Sequence, residues 1–246
     1  MARTRPSNVL VFETPEQVAL AAAERFAIHA SSSIVEHRVF SVALSGGSTP
    51  KRMYQALAGE PYKNLIDWKN VHLFFGDERN VPWDHPESNY RMAKEALISH
   101  VSIPRENVHP IDGAVDADKG ARIYERDLKT FFSGQEWPRF DLVLLGLGDD
   151  GHTASLFPHS GALRVQQRWT TSYFVEKLGA FRITLTAAAI NAAANVEFLV
   201  TGSNKAASLA AVINGPRDPE NLPAQLIEPN NGELTWLVDQ AAASQL

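Results

Sequence analysis

The chain has 246 residues, 23 Lys+Arg against 28 Asp+Glu for a formal net charge of -5, 44% hydrophobic content and no cysteine. That length favours one large α/β domain spanning residues 1–246, able to bury well over half of its unfolded surface. The absent thiols exclude a disulfide scaffold, an iron–sulfur protein and any thiolate metal site, and they fit a reducing compartment, with the cytoplasm as the default location. The longest apolar run, residues 18–23, is six long against the roughly 18 needed to span a bilayer, and residues 1–8 carry two Arg with no apolar stretch behind them. Neither a transmembrane helix nor a signal peptide is expected. The mild acidity argues against nucleic acid as a partner, so an anionic ligand would have to be caught locally.

In chain order, a short strand over 9–12 leads into Thr14-Pro15-Glu16-Gln17, which combines an N-cap, a Pro at the first helical position and a Gln placed to close a capping box. Val18, Ala22, Phe26 and Ala30 then supply one apolar helix face. A buried strand over 39–44 is followed by Thr49-Pro50, which opens a helix carrying Met53, Tyr54, Leu57 and Ala58 and stopping at Gly59 with Pro61 beyond. Further apolar strands are read at Val71–Phe75, Leu142–Leu145, 183–185 and 198–200, and Ser88, Asp116, Asp150 and Ser203 are read as helix N-caps. Apolar strands alternating with helices describe a three-layer αβα sandwich around a mostly parallel, Rossmann-like sheet. Ligands of such sheets sit beyond the carboxyl ends of the strands, so the strand-to-helix junctions are where chemistry is expected.

Four junctions carry suitable residues. In Ser45-Gly46-Gly47-Ser48-Thr49 the glycines let backbone approach an anion, the hydroxyls add donors, and the following helix start offers free N–H groups. The loop reads either as a phosphate cradle or as a turn whose Ser and Thr cap a helix; it is not a Walker A loop, because no Gly-Lys-Ser/Thr follows. Asp77, Glu78 and Arg79 follow the strand Val71–Phe75 and offer a carboxylate and a guanidinium, or simply a solvated charged loop. Residues 146–151 satisfy G-x-G-x-x-G spacing, but Asp149 and Asp150 would set carboxylates where a pyrophosphate should lie, and no strand ending in an acid appears about 20 residues on. With Asp150 as an N-cap, His152 falls in a first helical turn, where the dipole keeps the imidazole neutral and competent as a general base. At the fourth junction, Lys205 opposes the dipole of the helix behind Ser203 unless an anion sits there; Arg182 is either another phosphate partner or an edge-strand charge. There is no H-E-x-x-H metal motif and no G-x-S-x-G nucleophile elbow.

Together these blocks resemble the 6-phosphogluconolactonases, within the larger group that includes glucosamine-6-phosphate deaminase/isomerase. The resemblance rests on LSGGSTPKRMYQAL (44–57), FFGDERNVPWDHPESNYRMA (74–93), DLVLLGLGDDGHTASLFP (141–158), RITLTAAAIN (182–191), FLVTGSNKA (198–206) and GELTWLVDQAA (232–242). The deaminase branch has Asp-Glu-Tyr where this chain has Asp77-Glu78-Arg79, and a catalytic Glu where this chain has Phe157; both differences favour the lactonase. Asp149 stands where many members carry a non-acidic residue, and 176–181 lacks a Pro-rich lead-in.

The resemblance implies hydrolysis of 6-phospho-D-glucono-1,5-lactone to 6-phospho-D-gluconate, the second step of the oxidative pentose phosphate pathway, with no organic cofactor and no metal. It implies His152 as the base, Arg79 holding substrate and offsetting charge, and Asp77 orienting Arg79 or a sugar hydroxyl or influencing His152. Ser45, Gly46, Gly47, Ser48, Thr49, Asp150, Arg182 and Lys205 would bind the substrate and its phosphate. The expected partner is a small phosphosugar lactone, with no membrane association and a monomer or weak homodimer. The rivals are a deaminase and a sugar-phosphate sensor; the latter would carry a DNA-binding segment, for which residues 1–38, occupied by a strand and a helix, leave no room.

Overall fold

The computed structural model describes residues 8–246; residues 1–7, which hold the two Arg considered for a leader, lie outside them. Six strands form one parallel sheet in the order β1-β9-β8-β5-β2-β3: β1 (Asn8–Phe12), β2 (Phe40–Leu44), β3 (Val71–Phe75), β5 (Leu142–Leu145), β8 (Asn195–Val200) and β9 (Glu233–Asp239). A second sheet is antiparallel, in the order β4-β7-β6, from β4 (Asp77–Arg79), β6 (Thr170–Val175) and β7 (Ala180–Leu185).

Both faces of the parallel sheet are covered, which is why its strands are apolar nearly throughout. In β2 and β3 the register pairs Phe40 with Val71 and Ala43 with Phe74, so Phe40 and Phe74 point to opposite faces. Phe40 meets Phe26 edge-on at 5.1 Å from helix α1 (Pro15–His37). Phe74 meets Phe140 at 5.4 Å and Phe132, the cap of helix α5 (Ala117–Phe131), at 6.0 Å. Each such ring, fully buried, contributes about 1.5–3 kcal/mol relative to exposure. Helix α1 begins as its sequence dictates: Thr14 Oγ1 accepts from Gln17 N at 3.2 Å, although the Gln17 side chain reaches back to Glu13 N at 2.8 Å, one residue earlier than a capping box requires. Val18, Ala22, Phe26 and Ala30 are all buried.

Three expectations are corrected. Residues 183–185 belong to the antiparallel sheet and not to the parallel one. No helix follows Asp150: its carboxylate accepts from His152 N at 3.3 Å, an Asx-type turn, and Gly151 at φ 75 turns the chain away. Ser203 is the first residue of a 3₁₀ turn, Ser203–Lys205, capped by Gly202, and its side chain caps nothing. Ser88 and Asp116 do cap helices α4 (Asn89–Ala96) and α5, accepting from Arg91 N and Lys119 N, each at 3.1 Å.

Chain order along the sheet reverses between β2 and β5: from β2 the path runs outward to β3, then crosses back to β5, β8 and β9. Loops after β2 and β5 therefore leave the same edge in opposite directions and open a crevice there. Two buried phenols fix where the strands end. Tyr54 OH donates to Ser45 O at 2.8 Å and accepts from Ser45 N at 3.0 Å, and Tyr124 OH does the same to Phe75 at 2.9 and 2.8 Å. Burial pushes both phenols well above their ordinary pKa, so they stay protonated and able to donate.

Candidate active site

The crevice is a cleft of about 540 Å³, lined by residues from the loops after β2, β5 and β8, from β4 and from the β6–β7 hairpin. On the β2 side, Gly46 packs so closely on Asn89 that an added Cβ would lie 2.1 Å from Asn89 Oδ1. Gly47 caps helix α2 (Ser48–Leu57) at φ 107, a conformation that favours glycine, and Ser48 and Thr49, which open the helix, line the cleft. Thr49 Oγ1 shares a 2.7 Å hydrogen bond with Thr201 Oγ1, tying this loop to the one after β8.

Strand β4 delivers Asp77 and Arg79 to the cleft, while Glu78 between them points inward. The fully buried Glu78 carboxylate accepts from Arg79 N, Asn89 N, Tyr90 N and Ser88 Oγ at 2.7–3.0 Å; burial raises its pKa more than these bonds lower it. It holds the segment between β4 and α4 in place and is not presented to a ligand. Asp77 Oδ2 accepts from Ser155 Oγ at 2.6 Å and Oδ1 from Asn89 Nδ2 at 3.3 Å, so this carboxylate ties the loop after β5 to the start of helix α4. Arg79 and Arg182 are register partners on β4 and β7. Like charges placed opposite each other destabilise a sheet. Their bonds run to carbonyl oxygens, Arg79 to Glu87 O and Arg182 to Phe181 O, which leaves both charges for an anion. Burial, and then the neighbouring Arg79, lowers the Arg182 pKa, the signature of a guanidinium pressed against another cation.

The loop after β5 builds the only imidazole that lines the cleft among the described residues. His152 Nδ1 lies 2.5 Å from Asp150 Oδ1, and Lys177 Nζ donates to Asp150 Oδ2 at 3.2 Å. Burial pushes the Asp150 pKa up, but the hydrogen bond and charge of His152, with Lys177, more than offset it and hold the pKa at about 2. The ring stacks on Phe157 at 4.0 Å and 18°, and a Cβ on Gly148 would lie 2.0 Å from Nδ1. Gly148 is thus required by the ring, not by a dinucleotide. A carboxylate on one side, an aromatic face and a glycine floor fix the imidazole, and with Nδ1–H donated to Asp150 the neutral ring presents the lone pair of Nε2. No helix dipole acts on His152; what the structure supplies instead is a carboxylate partner that orients the ring.

From the β8 loop, Gly202 N donates to both Asp239 carboxylate oxygens at 3.0 and 3.1 Å, and Lys205 projects into the cleft, where its ammonium bonds Asp149 Oδ1. All of the expected site residues, Ser45 to Thr49, Asp77, Arg79, Asp150, His152, Arg182 and Lys205, line this one cleft. Sequence reasoning passed over Asn89, Ser155, Thr201 and Lys177, which line it too. Asn89 follows a legible N-cap, but Lys177 sits at a hairpin tip with no local signal. Among the described residues no group of three or more His, Asp or Glu side chains could hold a metal ion. The arrangement can bind a multiply charged anion at the glycine–hydroxyl loop and move a proton at the imidazole.

The family model of glucosamine-6-phosphate isomerases/6-phosphogluconolactonase matches residues 13–236. A 6-phosphogluconolactonase from Synechocystis sp. is 46% identical over 219 residues, 88% of each chain. One from Nostoc sp. is 44% identical over 241 residues, covering 94% of this chain and 96% of its own. Among solved structures, 6-phosphogluconolactonase from Trypanosoma cruzi superposes with a TM-score of 0.87 at 33% identity, over 98% of this chain and 97% of that one.

Proposed function

The chain belongs to the family of glucosamine-6-phosphate isomerases and 6-phosphogluconolactonases, and from that premise we propose how its cleft divides the labour of the lactonase reaction. The enzyme hydrolyses 6-phospho-D-glucono-1,5-lactone to 6-phospho-D-gluconate in the pentose phosphate pathway. His152 Nε2 takes a proton from water as the water oxygen attacks C1, and the carbonyl electrons move onto oxygen. Arg79 offsets that oxyanion. The C1–ring oxygen bond then breaks, the imidazolium returns its proton to the departing ring oxygen, and the new carboxyl group ionises to water. Asp150 keeps the ring in the tautomer that each half of the cycle needs. Gly46, Gly47, Ser48 and Thr49, with Lys205 and Arg182, hold the phosphate.

The observation that carries this reading is the pairing of an Asp150-bound imidazole with the glycine–hydroxyl loop across one cleft. Against a deaminase stands Phe157: its ring lies flat on His152 at the place where that branch carries a carboxylate for amino-sugar ring opening. The test is a paired assay on fresh substrates. Lactone hydrolysis well above the spontaneous rate, with no ammonia released from glucosamine 6-phosphate, is expected; ammonia release without lactone hydrolysis would overturn the reading.

A further inference from the structure

Lys205 does not stand alone in the cleft. Its ammonium bonds Asp149 Oδ1, and Asn204 Nδ2 donates to the same oxygen at 3.2 Å. The two members of the pair are unequally sheltered: the Lys205 side chain is 23% exposed and that of Asp149 67%. We propose that Asp149 sets the affinity of the cleft for the phosphate group by competing with it for Lys205. The idea rests on the assignment of Lys205 to phosphate made above.

The physical case follows from the charges and their exposure. An ammonium offers three donors but one compact charge, and a doubly charged phosphate outbids a single carboxylate for it. The pair is partly solvated, so it gives way at small cost. Once displaced, the exposed Asp149 carboxylate turns to water. Until then it holds the Lys205 ammonium, which makes Asp149 a positioning residue acting through Lys205. Substrate and product carry the same phosphate, so the competition weakens both alike. It lowers capture of lactone and eases discharge of 6-phosphogluconate, without touching the bond-making step.

The test is titration calorimetry of 6-phosphogluconate and of inorganic phosphate on four proteins: the parent, Asp149→Asn, Lys205→Ala and the double variant. At low ionic strength Asp149→Asn is expected to tighten both ligands about two- to fivefold, with KM falling in step, and the gain is expected to shrink as salt is raised. Lys205→Ala is expected to weaken both, and in its background most of the Asp149→Asn gain disappears. Asp149→Ser serves as the second variant and should move affinity the same way. Unchanged affinity in Lys205→Ala would overturn the phosphate assignment itself. Weakened binding in Lys205→Ala, with no gain from Asp149→Asn and Asp149→Ser, would overturn this proposal alone. So would a gain fully retained without Lys205, which would mark general repulsion in place of competition.

Discussion

At the scale of single residues, the site depends on one imidazole held from three directions. Asp150 bonds one nitrogen, Phe157 covers a face and Gly148 leaves room beneath. Because Asp150 is held at about 2, it stays ionised throughout the range in which such an enzyme is assayed, and an acid limb in the rate profile belongs to another group. Asp150→Asn keeps the shape but offers His152 either an amide donor or a weaker acceptor, which disturbs the tautomer. The expected result is a fall in kcat of about 10²–10⁴ with product affinity retained. A kcat within twofold of the parent would remove Asp150 from the positioning of the base. The carboxylate's partner was not legible from sequence: an Asp two residues before a His reads equally as a helix cap, and only the positive φ of Gly151 decides between them.

At the scale of elements, the parallel strands were readable because burial on both faces makes them uniformly apolar, as in Leu142–Leu145. The antiparallel sheet was legible only in part: 183–185 reads as a strand, whereas Asp77–Arg79 is three charged residues and announces none. Thr170–Val175, rich in β-branched and aromatic residues, carries a strand signal that was passed over. Strand β3 carries a further consequence. His72 Nδ1 lies 3.1 Å from Nε2 of His109, whose Nδ1 faces Asp127 Oδ2 at 2.9 Å, with Phe131 packed against both rings. Burial, and then the charge of His109, hold the His72 pKa down at about 4. The unfolded chain, with His72 near 6.5, takes up a proton that the folded chain refuses until about pH 4. Its contribution to stability is therefore complete above pH 6.5 and lost as pH falls from there towards 4. Melting temperatures taken from pH 7 to pH 4 should fall less steeply in His72→Gln than in the parent; parallel curves would show that His72 is not the linked group.

At the scale of the whole molecule, the function is a matter of convergence. A parallel sheet puts the carboxyl ends of all its strands on one edge, so loops after β2, β5 and β8, far apart in the chain, open onto one crevice at the reversal of strand order. That general location was legible, since junctions between apolar strands and capped segments can be marked in the sequence. The β6–β7 hairpin, which brings Lys177 and Arg182 to the rim, was not, because its position depends on pairing with β4. The net charge of -5 likewise conceals Arg79, Lys177, Arg182 and Lys205 gathered around one cleft. Everything in the mechanism runs through the base on the β5 loop, and the most direct test is the single-turnover rate of His152→Ala, corrected for spontaneous lactone hydrolysis, alongside its affinity for 6-phosphogluconate. The account predicts a rate lower by about 10²–10⁴ with near-parental product binding. A rate equal to that of the parent would contradict it.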